Sequence, residues 1–128
     1  MIDVTCAVII KENKVLVTQR SEKMKLPLMW EFPGGKIEKN ETAEDCLIRE
    51  ILEELSINIE ILKRLNASVY YYDTFAIRLI PFIALFKSGE IVLAEHKTYR
   101  WLAKHELSAL DWAPADIPIL EEFLQISL

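Results

Sequence analysis

Residues 34 to 57 read Gly34-Gly35-Lys36-Ile37-Glu38-Lys39-Asn40-Glu41-Thr42-Ala43-Glu44-Asp45-Cys46-Leu47-Ile48-Arg49-Glu50-Ile51-Leu52-Glu53-Glu54-Leu55-Ser56-Ile57, and the rest of the chain is organised around this stretch. Glu50, Glu53 and Glu54 stand at i, i+3 and i+4, which a helix of about 3.6 residues per turn places on one face. Like charges at that spacing cost an isolated helix roughly 0.2–0.5 kcal/mol per pair, and a bound divalent cation is the simplest physical reason to keep them. The stretch therefore predicts a helix that carries a Mg²⁺ site.

Local signals bound that helix. Thr42 is a suitable first cap, with Asp45 three residues on in capping-box spacing, and Glu41 and Glu44 lie near the positive end of the dipole. Ala43, Leu47, Ile48, Ile51, Leu52 and Leu55 cover a broad apolar arc, separate from the arc of Glu50, Glu53 and Glu54. The helix runs to about Leu55, buried on one side and acidic on the other.

Upstream, residues 4–10 and 14–20 are apolar, β-branched runs joined by the polar turn Lys11-Glu12-Asn13, the pattern of a hairpin. Residues 21–28 have no period and read as a loop; residues 29–32 form a short strand that Pro33 and the Gly34-Gly35 pair bring to a stop. Downstream, residues 57–65, 67–73 and 75–86 read as strands, residues 87–90 as a turn into Ile91-Val92-Leu93, residues 94–97 as a polar connection and residues 98–102 as a strand. A last helix starts at Ala115 or Asp116, with Asp116 as N-cap and Pro118 in its first turn, and ends at Leu124. Strands, helix, strands, helix predict a mixed sheet with helices on its faces, of α+β or α/β type.

A chain of 128 residues with 52% hydrophobic content buries a real core as one domain, residues 1–128, with no linker. Its net charge of −5 offers no basic surface for a nucleic acid polymer, whereas small phosphorylated substrates can arrive with their charge masked by metal. Cys6 and Cys46 form no CxxC pair and read as reduced apolar residues. The N-terminal run lacks the basic flank of a signal peptide, and no apolar stretch reaches the roughly 20 residues that span a bilayer, so a cytoplasmic protein without a membrane partner is expected. Monomer and homodimer are both open.

From Gly35 the chain reads Gly, five residues, Glu41, seven residues, then Arg49-Glu50-Ile51-Leu52-Glu53-Glu54-Leu55-Ser56-Ile57. This resembles the Nudix box, G-x5-E-x7-R-E-U-x-E-E-x-G-U with U aliphatic, over residues 35–57. The matching Gly, Glu and Arg positions would coincide by chance on the order of 10⁻⁸ per start position. Trp30-Glu31-Phe32-Pro33-Gly34-Gly35 is similar to the lead-in of the MutT-like branch of that superfamily, and the strand order fits its α/β/α sandwich. The departure is Ser56, where the family pattern has glycine; serine can hold a left-handed residue after a helix at a cost of about 1 kcal/mol.

The resemblance implies that Glu53 and Glu54 ligate metal, and that Glu50 ligates metal or helps to activate water. It also makes the Gly34 carbonyl a metal-ligand candidate and Glu95 a metal-binding or base glutamate in the connecting loop. Mg²⁺ is the expected ion, with Mn²⁺ an alternative. Arg49, one turn from Glu53, reads as a salt-bridge partner, and Glu41 as its orienter, an outer metal ligand or a solvated cap. Arg20, where MutT-like enzymes carry an arginine, is a candidate phosphate contact. His96 reads as a loop residue titrating near its reference value, and His105 is given no role.

For the base, residues 112–118 resemble the MutT segment that presents an Asn to oxidised guanine, and the matching position here is Asp116. A carboxylate accepts hydrogen bonds, which suits the N1-H and N2-H₂ edge of guanine or the N4-H₂ of cytosine. Phe32, Phe75 and Phe82 are candidates to stack on a base, although strand aromatics are more often core, and Leu26 to Met29 line the same pocket or form a flap. The resemblance implies a Mg²⁺-dependent nucleoside triphosphate pyrophosphohydrolase that releases a monophosphate and pyrophosphate. Its expected substrate is 8-oxo-dGTP or a cytidine triphosphate such as CTP or 5-methyl-dCTP. A hydrolase of ADP-ribose or another nucleotide conjugate and a catalytically silent nucleotide-binding regulator are the alternatives.

Overall fold

The computed structural model describes residues 1–127. Its frame is the pairing of β1 (Ile2–Lys11) with β7 (Ala76–Ser88), which run parallel through nine registered pairs from Ile2↔Ile77 to Ile10↔Leu85. Around them lie β2 (Lys14–Gln19), β3 (Trp30–Glu31), β4 (Gly34–Lys36), β5 (Asn58–Arg64), β6 (Ser68–Tyr71) and β8 (Thr98–Ala103). The strand order is β3-β2-β1-β7-β5, with β4 on β1, β6 on β7 and β8 on β2, and every pairing other than β1 with β7 is antiparallel. The expected mixed sheet is present.

Two helical layers cover it, α1 (Ala43–Leu55) and α2 (Ile117–Leu124). Alternation along the strands divides the core. Ala7, Ile9, Leu16, Ile80 and Ala84 join Leu47, Ile51 and Leu55 of α1, while Cys6, Val8, Val15, Val17, Leu79 and Ile83 join Leu120 and Phe123 of α2. The result is an α+β sandwich, helix on sheet on helix. No helix among the described residues is long and apolar enough to cross a membrane.

The hairpin turn holds Glu12 and Asn13 at φ 51° and 65°, the two positive angles that match the twist of adjoining strands. Gly34 and Gly35 depart from the expected stop: they open β4, which pairs with β1 at Cys6 and Thr5. A Cβ at Gly34 would lie 1.9 Å from the Thr5 carbonyl, so glycine here permits close strand approach. Residues 91–93 are not a strand; they lie over the end of α1, where Val92 N–H donates to Leu55 O and Ala94 N–H to Glu54 O. Carbonyls that a helix end leaves unpaired are thereby satisfied. Two 3₁₀ turns, Lys104–Ala109 and Pro114–Asp116, lie between β8 and α2, where the sequence pattern predicts no element before Ala115.

Candidate active site

The acidic helix begins as its sequence dictates: Thr42 Oγ1 accepts the Asp45 N–H at 3.0 Å. It ends at Ser56, which takes the left-handed conformation (φ 61°, ψ 29°) while its N–H bonds Leu52 O. Between these ends Arg49 organises the carboxylates. Its Nε and Nη2 reach the two oxygens of Glu41 at 3.0 and 2.6 Å, and its Nη1 reaches Glu50 Oε1 at 2.8 Å and Glu53 Oε2 at 3.1 Å. The bond to Arg49, helped by the Glu38 N–H, holds Glu41 down to about pKa 2. Gly35 makes room for this row, since a Cβ there would lie 2.2 Å from the Glu50 carboxylate.

Glu54 stands apart from that clamp. Its side chain is 22% exposed, and its Oε2 is buried without a hydrogen-bond partner. Burial, reinforced by the charges of Glu50, Glu31 and Glu95 and opposed by His96, pushes its pKa up to about 7. Opposite it lies His96, whose side chain is only 1% exposed. His96 Nε2 bonds Glu31 Oε2 at 2.8 Å, and its Nδ1 sits 3.9 Å from Glu54 Oε2, also without a partner. Glu31 Oε1 in turn accepts from Arg20 Nη1 at 2.7 Å, while Arg20 Nε donates to Lys25 O. A buried polar chain therefore runs Arg20, Glu31, His96, Glu54.

This corrects the reading of His96 as an ordinary loop residue. Burial lowers its pKa, but the Glu31 bond and the charges of Glu31 and Glu54 outweigh that and raise it above the usual histidine value. Glu31 and His96 were both missed as site residues. The available signal was their company: Glu31 inside the Trp30-to-Gly35 run and His96 beside Glu95. Glu95 itself is exposed, and no side-chain bond engages it among the described residues.

Arg20, Glu31 and Glu54 line a cleft of about 740 Å³, the size range of a small-molecule site. Gly34, Gly35, Phe32 and Asp116 also line it, and Lys25 and Phe75 do so in contact with each other, Lys25 Nζ lying 4.5 Å from the Phe75 ring. Asp116 does not cap α2 with its side chain. Its φ and ψ (−83°, −18°) belong to the 3₁₀ turn instead of an extended cap, and its Oδ2 accepts the Phe32 N–H at 2.8 Å. At 6% exposure, burial and the charge of Glu31 raise its pKa well above the usual carboxylate range.

The aromatic candidates separate. Phe32 lines the cleft with its ring 4.6 Å from Trp112, and Phe75 stacks on Tyr72 at 4.9 Å. Phe82 is no base platform: it is 1% exposed, in the apolar layer with Leu47 and Ile51 beneath α1. Leu79 and Ile83 point to the other side of the sheet, so the period of two on β7 turns residue 82 away from the cleft.

The donor set fits a hard divalent cation: Glu50, Glu53 and Glu54 offer only oxygen, and one of those oxygens is buried with nothing to accept from. Among the described residues no three His, Cys, Asp or Glu side chains are already gathered as a metal cluster, and Arg49 is paired with both Glu50 and Glu53.

An acidic helix face at the lip of a cleft of this size, with an arginine inside it, is the arrangement of an enzyme that works on phosphate groups. The NUDIX domain model matches residues 1–123, and the chain belongs to that family, whose members act with a divalent metal ion. The chain is 32% identical over 126 residues to the CTP pyrophosphohydrolase of Escherichia coli K12, covering 98% of this chain and 93% of that protein. It is 28% identical over 120 residues to an 8-oxo-dGTP diphosphatase of Buchnera aphidicola, covering 94% and 91%. The solution structure of a MutT protein, a Nudix hydrolase from methicillin-resistant Staphylococcus aureus 252, is 46% identical, covers 96% of this chain and 95% of its own, and superposes with a TM-score of 0.78. The chain is a MutT-like Nudix hydrolase.

Proposed function

We propose that the protein is a Mg²⁺-dependent nucleoside triphosphate pyrophosphohydrolase of the cytoplasmic nucleotide pool. It cleaves CTP, a modified cytidine triphosphate or 8-oxo-dGTP to the monophosphate and pyrophosphate. The observation that carries this reading is the partnerless, buried Oε2 of Glu54 on the wall of a cleft that also holds Arg20 and Asp116. The names of the relatives with matching coverage support the substrate class.

Each residue then has a physical task. Glu50, Glu53 and Glu54, with the Gly34 carbonyl and Glu95 as further ligands, would hold Mg²⁺ or Mn²⁺, which when bound neutralises phosphate oxygens and lowers the pKa of water. Arg20, with Nε and Nη1 engaged, offers Nη2 to a phosphate oxygen. Arg49 keeps Glu50 and Glu53 apart from each other's charge until the cation competes for them. Asp116 has Oδ2 committed to Phe32, so its other oxygen is the one left to hydrogen-bond the edge of a base.

The test is incubation with Mg²⁺ and a panel of ordinary, oxidised and methylated nucleoside triphosphates plus ADP-ribose, with products identified. Monophosphate plus pyrophosphate from a cytidine or oxidised guanosine triphosphate is expected. Cleavage confined to ADP-ribose, or binding without turnover, overturns the proposal.

A further inference from the structure

His96 is the most buried ionisable side chain of the chain that joins Arg20 to Glu54, and it sits on a connection, not on a helix or strand. A buried imidazole with one nitrogen unpaired is costly, so its burial calls for a reason. The connection is anchored at both ends. Ala94 N–H bonds Glu54 O at 3.1 Å and Lys97 N–H bonds Gln19 O at 2.9 Å, so the segment bridges the end of the acidic helix and the end of β2. The ring is thereby set between Glu31 and Glu54.

The chemistry of the two ring nitrogens is unequal. Glu31 accepts at 2.8 Å, which fixes a proton on Nε2 and the plane of the ring. Nδ1 then faces Glu54 Oε2 at 3.9 Å, too long for a direct hydrogen bond and within the span of one bridging water or a small rotation of the carboxylate. These two atoms are the only buried side-chain nitrogen or oxygen atoms without a partner among the described residues, and they face each other. Packing alone does not require that coincidence.

We propose that His96, oriented by Glu31, is a positioning residue that sets the side chain of Glu54 at the metal face. The inference rests on the reading of Glu54 as a metal ligand. Partners that orient a ligating side chain without touching the metal are worth about 10- to 100-fold in metal affinity. Through Glu31 the same ring is tied to Arg20 on the other side of the site.

The experiment is titration of the nucleotide-free protein with Mn²⁺, followed by electron paramagnetic resonance of the free ion, alongside thermal unfolding. His96→Gln keeps a polar group near the position of Nε2, and with it the bond to Glu31, but places nothing at Nδ1. If His96 positions Glu54, this variant unfolds within about 2 °C of the parent and binds Mn²⁺ at least tenfold more weakly. Glu31→Gln weakens Mn²⁺ binding by a smaller factor, and adding it to His96→Gln weakens binding no further than His96→Gln alone. Parental Mn²⁺ affinity in His96→Gln overturns the inference, and so does independent addition of the two effects. Glu54→Gln separates this from failure of the underlying reading: if it too leaves Mn²⁺ affinity intact, Glu54 is not a ligand; if it weakens binding while His96→Gln does not, only the role of His96 falls.

Discussion

The two flanks of α1 solve the same electrostatic problem in opposite ways. On the Arg49 flank, one guanidinium distributes its donors over Glu41, Glu50 and Glu53, and the paired carboxylate of Glu41 is held down to about pKa 2. On the His96 flank, Glu54 is buried with an oxygen unpaired and pushed up to about pKa 7. Glu41 and Glu54 thus differ by several pKa units because one side offers a cation and the other offers desolvation. The paired flank maintains the helix; the unpaired one holds the readiness to accept a cation.

The largest effects should come from breaking the carboxylate row on either flank. Glu54→Gln should lower turnover by about two orders of magnitude or more at saturating Mg²⁺, and Glu53→Gln by a similar factor, as steady-state kinetics would show. An unchanged rate in both would remove the row from the site. Next, Asp116→Asn keeps an acceptor for the Phe32 N–H and adds a donor. It should shift the ratio of kcat/KM between CTP and 8-oxo-dGTP by about tenfold, the worth of one hydrogen bond to a base, while a uniform loss on every nucleotide would exclude base reading.

The pH dependence of the metal-free protein sharpens the contrast, because the two flanks carry opposite signs. Glu41 has its folded pKa depressed, so its contribution to stability is present above about pH 4.5 and is lost as pH falls towards 2. Glu54 has its folded pKa raised, so it destabilises the fold increasingly as pH rises from about 4.5 to 7. Denaturation at a series of pH values should therefore show Glu41→Gln flattening the acid limb and Glu54→Gln flattening the decline towards neutrality. If both variants moved the same limb, the contrast would be wrong. The smallest effect belongs to the helix end: Ser56→Gly relieves a left-handed serine and should stabilise by about 0.5–1 kcal/mol, or roughly 2–5 °C in Tm.

What the sequence disclosed divides along the same line as distance in the chain. The Thr42 cap, the left-handed residue at 56 and the hairpin at Glu12-Asn13 are local, and their residue types announce them. The box from Gly35 to Ile57 is a spacing within one unbroken stretch of sequence and is legible for that reason. By contrast, β4 was hidden because glycines that read as a turn become a strand only when Thr5 and Cys6 lie beside them. His96 looked like a surface histidine because its burial depends on a connection folding over the end of α1. Phe82 was placed at the cleft because a buried strand, apolar on both faces, does not show which face is which. Asp116 was given a cap because the 3₁₀ turn that redirects its carboxylate to Phe32 is set by tertiary contacts.

The parallel pairing of β1 with β7 has a consequence for how the molecule comes into being. Parallel neighbours cannot be joined by a hairpin, and here half of the chain, residues 12–75, is synthesised between the two partners. The β1–β2 hairpin and α1 can form early from nearby residues, but the sheet to which they dock is completed only when residues 76–88 arrive. Closing so long a loop costs entropy before the β1–β7 contacts are gained, a cost that slows folding relative to a chain of local contacts. A fragment ending before β7 would keep Glu50, Glu53 and Glu54 but lack Glu95, the Ile77 and Leu79 side of the cleft and the loop that brings His96 to Glu54.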